Sequence, residues 1–221
     1  ELRRDAATLA LRDLGMADAA IDSFFFEMPR RYFMSHTPKQ IVRHTQVVMD
    51  FGEEAPFSSS FREMRGNFTE FILCTRDVHG LYSRVAGTIA GCGINILGSY
   101  VYTGRSGVAL EVYRLDTPEG GREERDFAWR ALGEALGSVL GGEVAVSDLL
   151  ARRRHSGKLR TQARTQPPVV TLSNSESDFY TIVDVVADDH VGLLHSVTEV
   201  IADHGLEVYI SKAATVLDQV T

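Results

Sequence analysis

The sequence predicts an α+β protein made of tandem modules, each in the order strand, helix, strand, strand, helix, strand, with the second incomplete and a helical segment ahead of both. Three observations carry this. The turn Asp77-Val-His-Gly-Leu81 recurs 112 residues later as Asp189-His-Val-Gly-Leu193. Laying residues 69–109 on 181–221 without a gap gives 11 identities in 41 positions, among them Thr69/Thr181, Gly80/Gly192, Ala90/Ala202, Ser99/Ser211 and Thr103/Thr215. Each turn also lies between an apolar run with strand-like spacing and an amphipathic run with helical spacing, so the match keeps one structural register, as a repeated unit must.

Residues 1–51 read as helices. Leu2, Ala6, Leu9, Ala10 and Leu14 follow helical spacing up to Gly15, and a second helix from Asp18 to Met28 ends at Pro29. Thr37-Pro38 is a start signal for a third, because Thr37 can accept backbone N–H groups and Pro38 loses nothing in a first turn. That helix runs to about Phe51. Residues 52–67, with Ser, Gly and Glu around Pro56, read as a connector.

The first module is expected over 68–150. Phe68 to Thr75 alternates as a strand, and Leu81, Val85, Ile89 and Cys92 share one face of the following helix. Ile94 to Thr103 and Val108 to Leu115 read as a hairpin closed by Gly104-Arg-Ser-Gly107. Phe127, Ala131, Ala135, Leu136 and Val139 then form a helical stripe within Glu123 to Leu140, and Val144 to Val146 is expected to be the last strand. A right-handed crossover closes this order as a four-stranded antiparallel sheet with both helices on one face, a ferredoxin-like module. Residues 151–178 read as a basic linker, whose Arg152, Arg153, Arg154, Lys158, Arg160 and Arg164 all fall within 151–168, a stretch with no acid; setting those six aside leaves 17 basic against 30 acidic residues in the chain. The second module is expected over 179–221, truncated after the start of its third strand. An open sheet edge of that kind invites self-association.

Net charge −7 argues against a general nucleic-acid surface. Cys74 and Cys92, the only cysteines, have no metal or disulfide spacing, and no apolar run reaches the roughly 20 residues of a membrane span, so a cytoplasmic fragment of a longer protein is expected. Gly91-Cys-Gly93 follows a helix and precedes a strand, the reverse of a dinucleotide loop. His190, His195 and His204 lack metal-ligand spacing, and His195 and His204 are expected on exposed helix positions. No Ser/His/Asp or Cys/His set is discernible.

The two turns are the candidate sites. A helix start offers free amides and partial positive charge to a carboxylate, and Asp77 or Asp189 beside it offers a partner to an ammonium, which together satisfy a free amino acid. Equally, those acids could simply cap their helices.

At the DxxGL turns, the helix Leu81-Tyr-Ser-Arg-Val-Ala-Gly-Thr-Ile-Ala90 and the strand entry Gly93-Ile-Asn-Ile-Leu97, the chain resembles ACT domains, small amino-acid-sensing modules. With Met28-Pro-Arg-Arg-Tyr-Phe-Met-Ser-His-Thr-Pro-Lys-Gln-Ile-Val-Arg-His44 ahead of them, it resembles the carboxy-terminal part of the bifunctional uridylyltransferase/uridylyl-removing enzymes that modify the PII protein. That resemblance implies a glutamine-sensing regulatory region with no catalytic site and no cofactor of its own, magnesium belonging to the parent enzyme's catalytic domains. It implies ligand contacts at Asp77, His79, Gly80, Leu81, Asn95 and Ile96, with Asp189, Val191, Gly192, Leu193, Glu207 and Val208 as their equivalents. His79 and Val191 depart from the common DRPGL pattern, and Glu207 replaces Asn95, which favours the first copy as the site. Alternative readings are a ligand-free dimerisation module and the regulatory region of another amino-acid-controlled enzyme.

Overall fold

The computed structural model describes residues 2–52, 55–155, 167–216 and 219–220. Four helices open it: α1 (Leu2–Asp13), α2 (Asp18–Glu27), α3 (Arg30–Ser35) and α4 (Pro38–Met49). Gly15, at φ +80, reverses the chain after α1. Pro29 ends α2 and leads straight into α3, a helix the sequence pattern did not separate from its neighbours because it is six residues long. The Thr37 side chain accepts from Gln40 N, and the Gln40 side chain accepts from Thr37 N, a complete capping box with Pro38 in the first turn of α4.

The first sheet consists of β1 (Phe57–Met64), β2 (Phe68–Arg76), β3 (Ile96–Thr103) and β4 (Val108–Asp116), in the order β1-β2-β4-β3 and antiparallel throughout. Both faces are covered. Ile72, Cys74, Tyr102, Leu110 and Val112 pack under the four opening helices, while Phe71, Leu73, Val101, Ala109, Tyr113 and Leu115 pack under α5 (Leu81–Gly91) and α6 (Arg122–Leu140). Seven consecutive residues of β2, Thr69 to Thr75, are therefore buried, so the strand shows little of the alternation that a one-sided sheet would impose.

Two expectations need correction. The connector 52–67 contains β1, which turns through Gly66 and Asn67, both at positive φ, and pairs with β2 from Phe57↔Thr75 to Met64↔Phe68. No strand forms at Val144 to Val146; the chain folds back onto the end of α6, and Val146 starts α7 (Val146–His155). The cause is occupancy: β1 fills the edge beside β2 where the last strand of a βαββαβ module would sit. The sheet order is that of the expected module, with its edge strand delivered from the amino-terminal side. The buried stripe of α6 is Trp129, Leu132, Leu136 and Val139, and Phe127 points to solvent at 68% exposure.

The second module follows the same plan, with β5 (Val169–Ser173), β6 (Ile182–Asp188), α8 (Leu193–Asp203), β7 (Ile210–Val216) and β8 (Gln219–Val220). The stretch 151–178 read as linker thus includes the end of α7, which carries Arg152, Arg153 and Arg154, and all of β5; Lys158, Arg160 and Arg164 lie outside the described residues. No helix among the described residues is long and apolar enough to cross a membrane.

Arg43 ties the opening helices to the sheet. Its guanidinium pairs with Glu70 on β2, which is 4% exposed and also accepts from Gln40 Nε2 at 3.2 Å. Removing one member of such a pair strands the other charge without its counter-ion. Arg43→Ala is expected to lower unfolding free energy by about 2 kcal/mol in urea titrations, because Gln40 still satisfies part of the carboxylate. Loss below about 0.5 kcal/mol would mean the pair is idle.

Candidate functional site

The two repeats meet through β3 and β7, which pair antiparallel with Gly98↔Ala214, Tyr100↔Lys212 and Tyr102↔Ile210. Tyr100 and Lys212 occupy equivalent positions in the 112-residue repeat, and every other pair exchanges equivalent positions, so a pseudo-twofold axis passes between these two residues. The helices α5 and α8 obey the same axis. A side-chain carbon at Gly80 would stand 3.7 Å from the Ala202 methyl, and one at Gly192 would stand 3.7 Å from the Ala90 methyl. The identities Gly80/Gly192 and Ala90/Ala202 are explained by this reciprocal contact. Ser99 and Ser211 are explained as well, since the buried Tyr82 hydroxyl lies 2.5 Å from one Oγ and 2.8 Å from the other.

Two clefts result. The first is lined by Asp77, Val78, Gly80, Leu81, Tyr82 and Ser83 of one repeat and by Ala202, Leu206, Glu207 and Val208 of the other. The second is lined by Asp189, His190, Gly192, Leu193, Leu194 and His195 facing Ala90, Ile94, Asn95 and Ile96. Shifted by 112 residues, all 11 lining residues of the second have a counterpart in the first, which adds Glu111, Thr198 and Ile201. The resemblance to ACT domains implies that Asn95 and Ile96 stand beside the first corner. Side-by-side pairing of the repeats sends them instead to the second corner, where Asn95 Nδ2 donates to Asp189 at 3.0 Å, and brings Glu207 and Val208 to the first. Val191 lines neither cleft.

The corners are formed by backbone. Gly80 and Gly192 precede their helices at φ +71 and +94, a left-handed conformation that disfavours any Cβ. The N-cap residue of each helix is a glycine, so neither helix is closed by its N-cap side chain. Asp77 accepts from Thr103 Oγ1 at 2.7 Å. Leu81 N bonds to Val78 O and Arg84 N to Gly80 O, while the amides of Tyr82 and Ser83 between them have no backbone acceptor among the described residues; Leu194 and His195 repeat the pattern. Free amides at a helix start are a binding site for a carboxylate.

His79 clasps the first cleft to the second repeat. Its Nε2 donates to Ala202 O at 3.0 Å and its Nδ1 lies 2.6 Å from Glu207 Oε1. With both nitrogens facing acceptors the imidazolium is favoured, so Glu207 foremost, then the Ala202 carbonyl, raises the His79 pKa. His195 is a correction: it is buried, and its Nδ1 donates to Ser83 O at 3.0 Å across the helix interface, while His204 is exposed. Among the described residues no group of three or more His, Cys, Asp or Glu side chains is placed to hold a metal ion.

Glu111 escaped the sequence reading. It stands on β4, is fully buried, and accepts from the Tyr113 hydroxyl at 2.6 Å through Oε2, leaving Oε1 without a partner among the described residues. Burial first, then Asp77, pushes its pKa up to about 7 against the opposing bond from Tyr113. A lone acid inside the apolar run Val108 to Leu115 was the available signal. As they stand, the cavities measure about 30 Å³ and about 10 Å³, room for a water rather than an amino acid. Entry of a larger ligand requires the repeats to move apart.

A family model described as "Uridylyltransferase GlnD fifth domain" matches residues 1–47. Three curated proteins, each called bifunctional uridylyltransferase/uridylyl-removing enzyme, align with most of the chain. That of Azospirillum brasilense is 29% identical over 218 residues, 96% of this chain and 23% of its own. That of Bradyrhizobium sp. (strain ORS 278) is 31% identical over 196 residues, 85% of this chain and 20% of its own. That of Caulobacter vibrioides (strain NA1000 / CB15N) is 27% identical over 211 residues, 94% and 22% respectively. The chain thus spans about a fifth of the length of these relatives.

Proposed function

The chain is related over most of its length to the bifunctional uridylyltransferase/uridylyl-removing enzymes, and on that premise we propose that it is the carboxy-terminal regulatory region of such an enzyme, a pair of ACT modules that senses glutamine. In this reading the parent protein adds UMP to PII and removes it in domains ahead of this region, with magnesium bound there. The chain's own part is to bind the effector.

One observation carries the reading: two clefts related by the pseudo-twofold axis, each with a glycine-initiated helix start, two free amides and an acid at the corner. The amides of Tyr82 and Ser83 suit the α-carboxylate, and Asp77 the α-ammonium. Regulation follows from the closed state. An amino acid fits only when the repeats part, so it binds one arrangement far better than the other, and differential affinity of that kind is what shifts an equilibrium.

Calorimetric titration of the chain with glutamine, glutamate and other amino acids tests this. Saturable binding that prefers glutamine supports it, and absence of binding, or equal heats for all, contradicts it. A second reading, an assembly module, is favoured by Val169, Val170, Leu172, Phe179 and Val183, which stand exposed on and beside β5 and β6. Sedimentation would then show self-association that glutamine leaves unchanged.

A further inference from the structure

The pseudo-twofold axis makes the clefts equivalent in outline, while their equivalent positions differ in chemistry, Glu207 against Asn95 and Ser83 against His195, and one difference lies in the buried interior. Glu111 lines the first cleft, and no residue lining the second is a buried, unpartnered carboxylate. Such a group is costly: a carboxylate at 0% exposure with one oxygen unsatisfied destabilises the fold unless something completes it. It is also the most buried polar side chain lining the cleft. Asp77 and Glu207 are exposed or half-exposed at the rim, and the free amides of Tyr82 and Ser83 stand at the corner between rim and floor.

We propose that Glu111 is the specificity residue of the first cleft, accepting a hydrogen bond from the neutral donor end of an amino-acid side chain, a carboxamide N–H, and repelling a side-chain carboxylate. The inference rests on the amino-acid-binding reading above and deepens it. Desolvation orders the ligand: its charged α-ammonium and α-carboxylate stay at the wetter corner with Asp77 and the amides, and its uncharged tip goes to the dry floor. There Oε1 has a vacant acceptor position and Tyr113 already occupies Oε2. A side chain ending in a carboxylate would bring like charge against Glu111 without an intervening donor. One that ends in a methyl would leave Oε1 unsatisfied.

The groups around Glu111 make the selectivity depend on pH. Tyr113 from β4 donates to it, Tyr82 from α5 and Asp77 from the loop after β2 lie beside it, Glu207 lines the same cleft from the other repeat, and burial with the Asp77 charge brings its titration to about 7. Below that pH the carboxyl is neutral and can itself donate to a carboxylate. Preference for a carboxamide is therefore expected above pH 7 and lost as pH falls through it.

Titrations of the chain with L-glutamine and L-glutamate, at pH 8 and pH 6, on the native protein and on Glu111→Gln test this. Native protein is expected to prefer glutamine at pH 8 by roughly ten- to hundredfold, the worth of one charge-assisted hydrogen bond, and the preference is expected to shrink at pH 6. The near-isosteric Glu111→Gln is expected to erase the preference at both pH values; its fold is verified by the thermal transition, and the native pH series stands on its own if the variant does not fold. If native protein binds neither amino acid, the sensing reading itself fails. If it prefers glutamine equally at both pH values, or Glu111→Gln folds and keeps the preference, only the role of Glu111 is overturned.

Discussion

Acidifying the protein from pH 7 to pH 4 is expected to lower its unfolding free energy by roughly 3 kcal/mol through His36 alone. His36 and His44 are 1% and 0% exposed where α3 and α4 meet the sheet, with ring centroids 4.7 Å apart. The Tyr32 hydroxyl lies 2.8 Å from His44 Nδ1 and the Tyr102 hydroxyl 3.1 Å from His36 Nε2. His36 Nδ1 and His44 Nε2 have no partner among the described residues, so neither ring has an acceptor ready for a second proton. Burial, against a smaller opposing pull from Glu70, brings His36 down to about 4, and burial with its neighbour His36 and Arg43 holds His44 well below the ordinary value. The sign follows. Between about pH 6.5 and pH 4 the unfolded chain binds protons that the folded chain refuses, so stability is present above pH 6.5 and is lost progressively as pH falls. Urea titrations across that range measure it. A curve flat from pH 6.5 to pH 4.5, or a double variant H36L/H44L that keeps the native slope, would contradict the assignment.

Gly87→Leu is expected to separate the two repeats while leaving the first one folded. Gly87 lies on α5 where α7 and α8 approach it: a side-chain carbon there would collide with the Val146 side chain and stand 2.7 Å from His195 Nδ1. On an isolated helix the change would be favourable, since leucine is about 1 kcal/mol better than glycine as a helix former. Any loss therefore reports the packing of α5 against both α7 and α8. Overpacking of this kind costs roughly 1–3 kcal/mol, and the pairing of β3 with β7 depends on the same interface. Amide exchange in β7 and α8 is expected to accelerate by ten- to hundredfold, in proportion to that cost, while β2 and β4 keep their protection. Gly133→Ala on α6, where an added side chain meets nothing within 4 Å, is the control expected to stabilise slightly. Unchanged exchange in Gly87→Leu would mean that the α5 and α8 contact does not hold the repeats together.

Much of this fold was legible because the signals were local. Gly15, Pro29 and the Thr37-Pro38 start mark chain reversals at their own positions, and the turns at Gly80 and Gly192 repeat in sequence as they do in space. What was missed depended on partners distant in sequence. Residues 57–64 carry no strong strand pattern, with Ser58, Ser59 and Ser60 in succession, and become β1 only because β2 offers an unpaired edge. Val144 to Val146 has the composition of a strand, yet that edge is already taken. His195 falls on the polar side of α8 when the helix is read alone and is buried only against α5. The candidate residues were found as types, while their grouping was not: Asn95 meets Asp189 rather than Asp77 because two repeats face each other, a fact that no single repeat contains.

An amino acid that binds between the repeats must move them apart, because the clefts as they stand hold only about 30 Å³ and about 10 Å³. Amide chemical shifts recorded while glutamine is added to the chain test it most directly. The largest changes are expected at Tyr82 and Ser83 and, across the cleft, at Leu206 to Val208, accompanied by faster exchange of the β3 and β7 amides as the pairing loosens. Changes confined to one repeat, or saturation with the β3 and β7 protection intact, would contradict it.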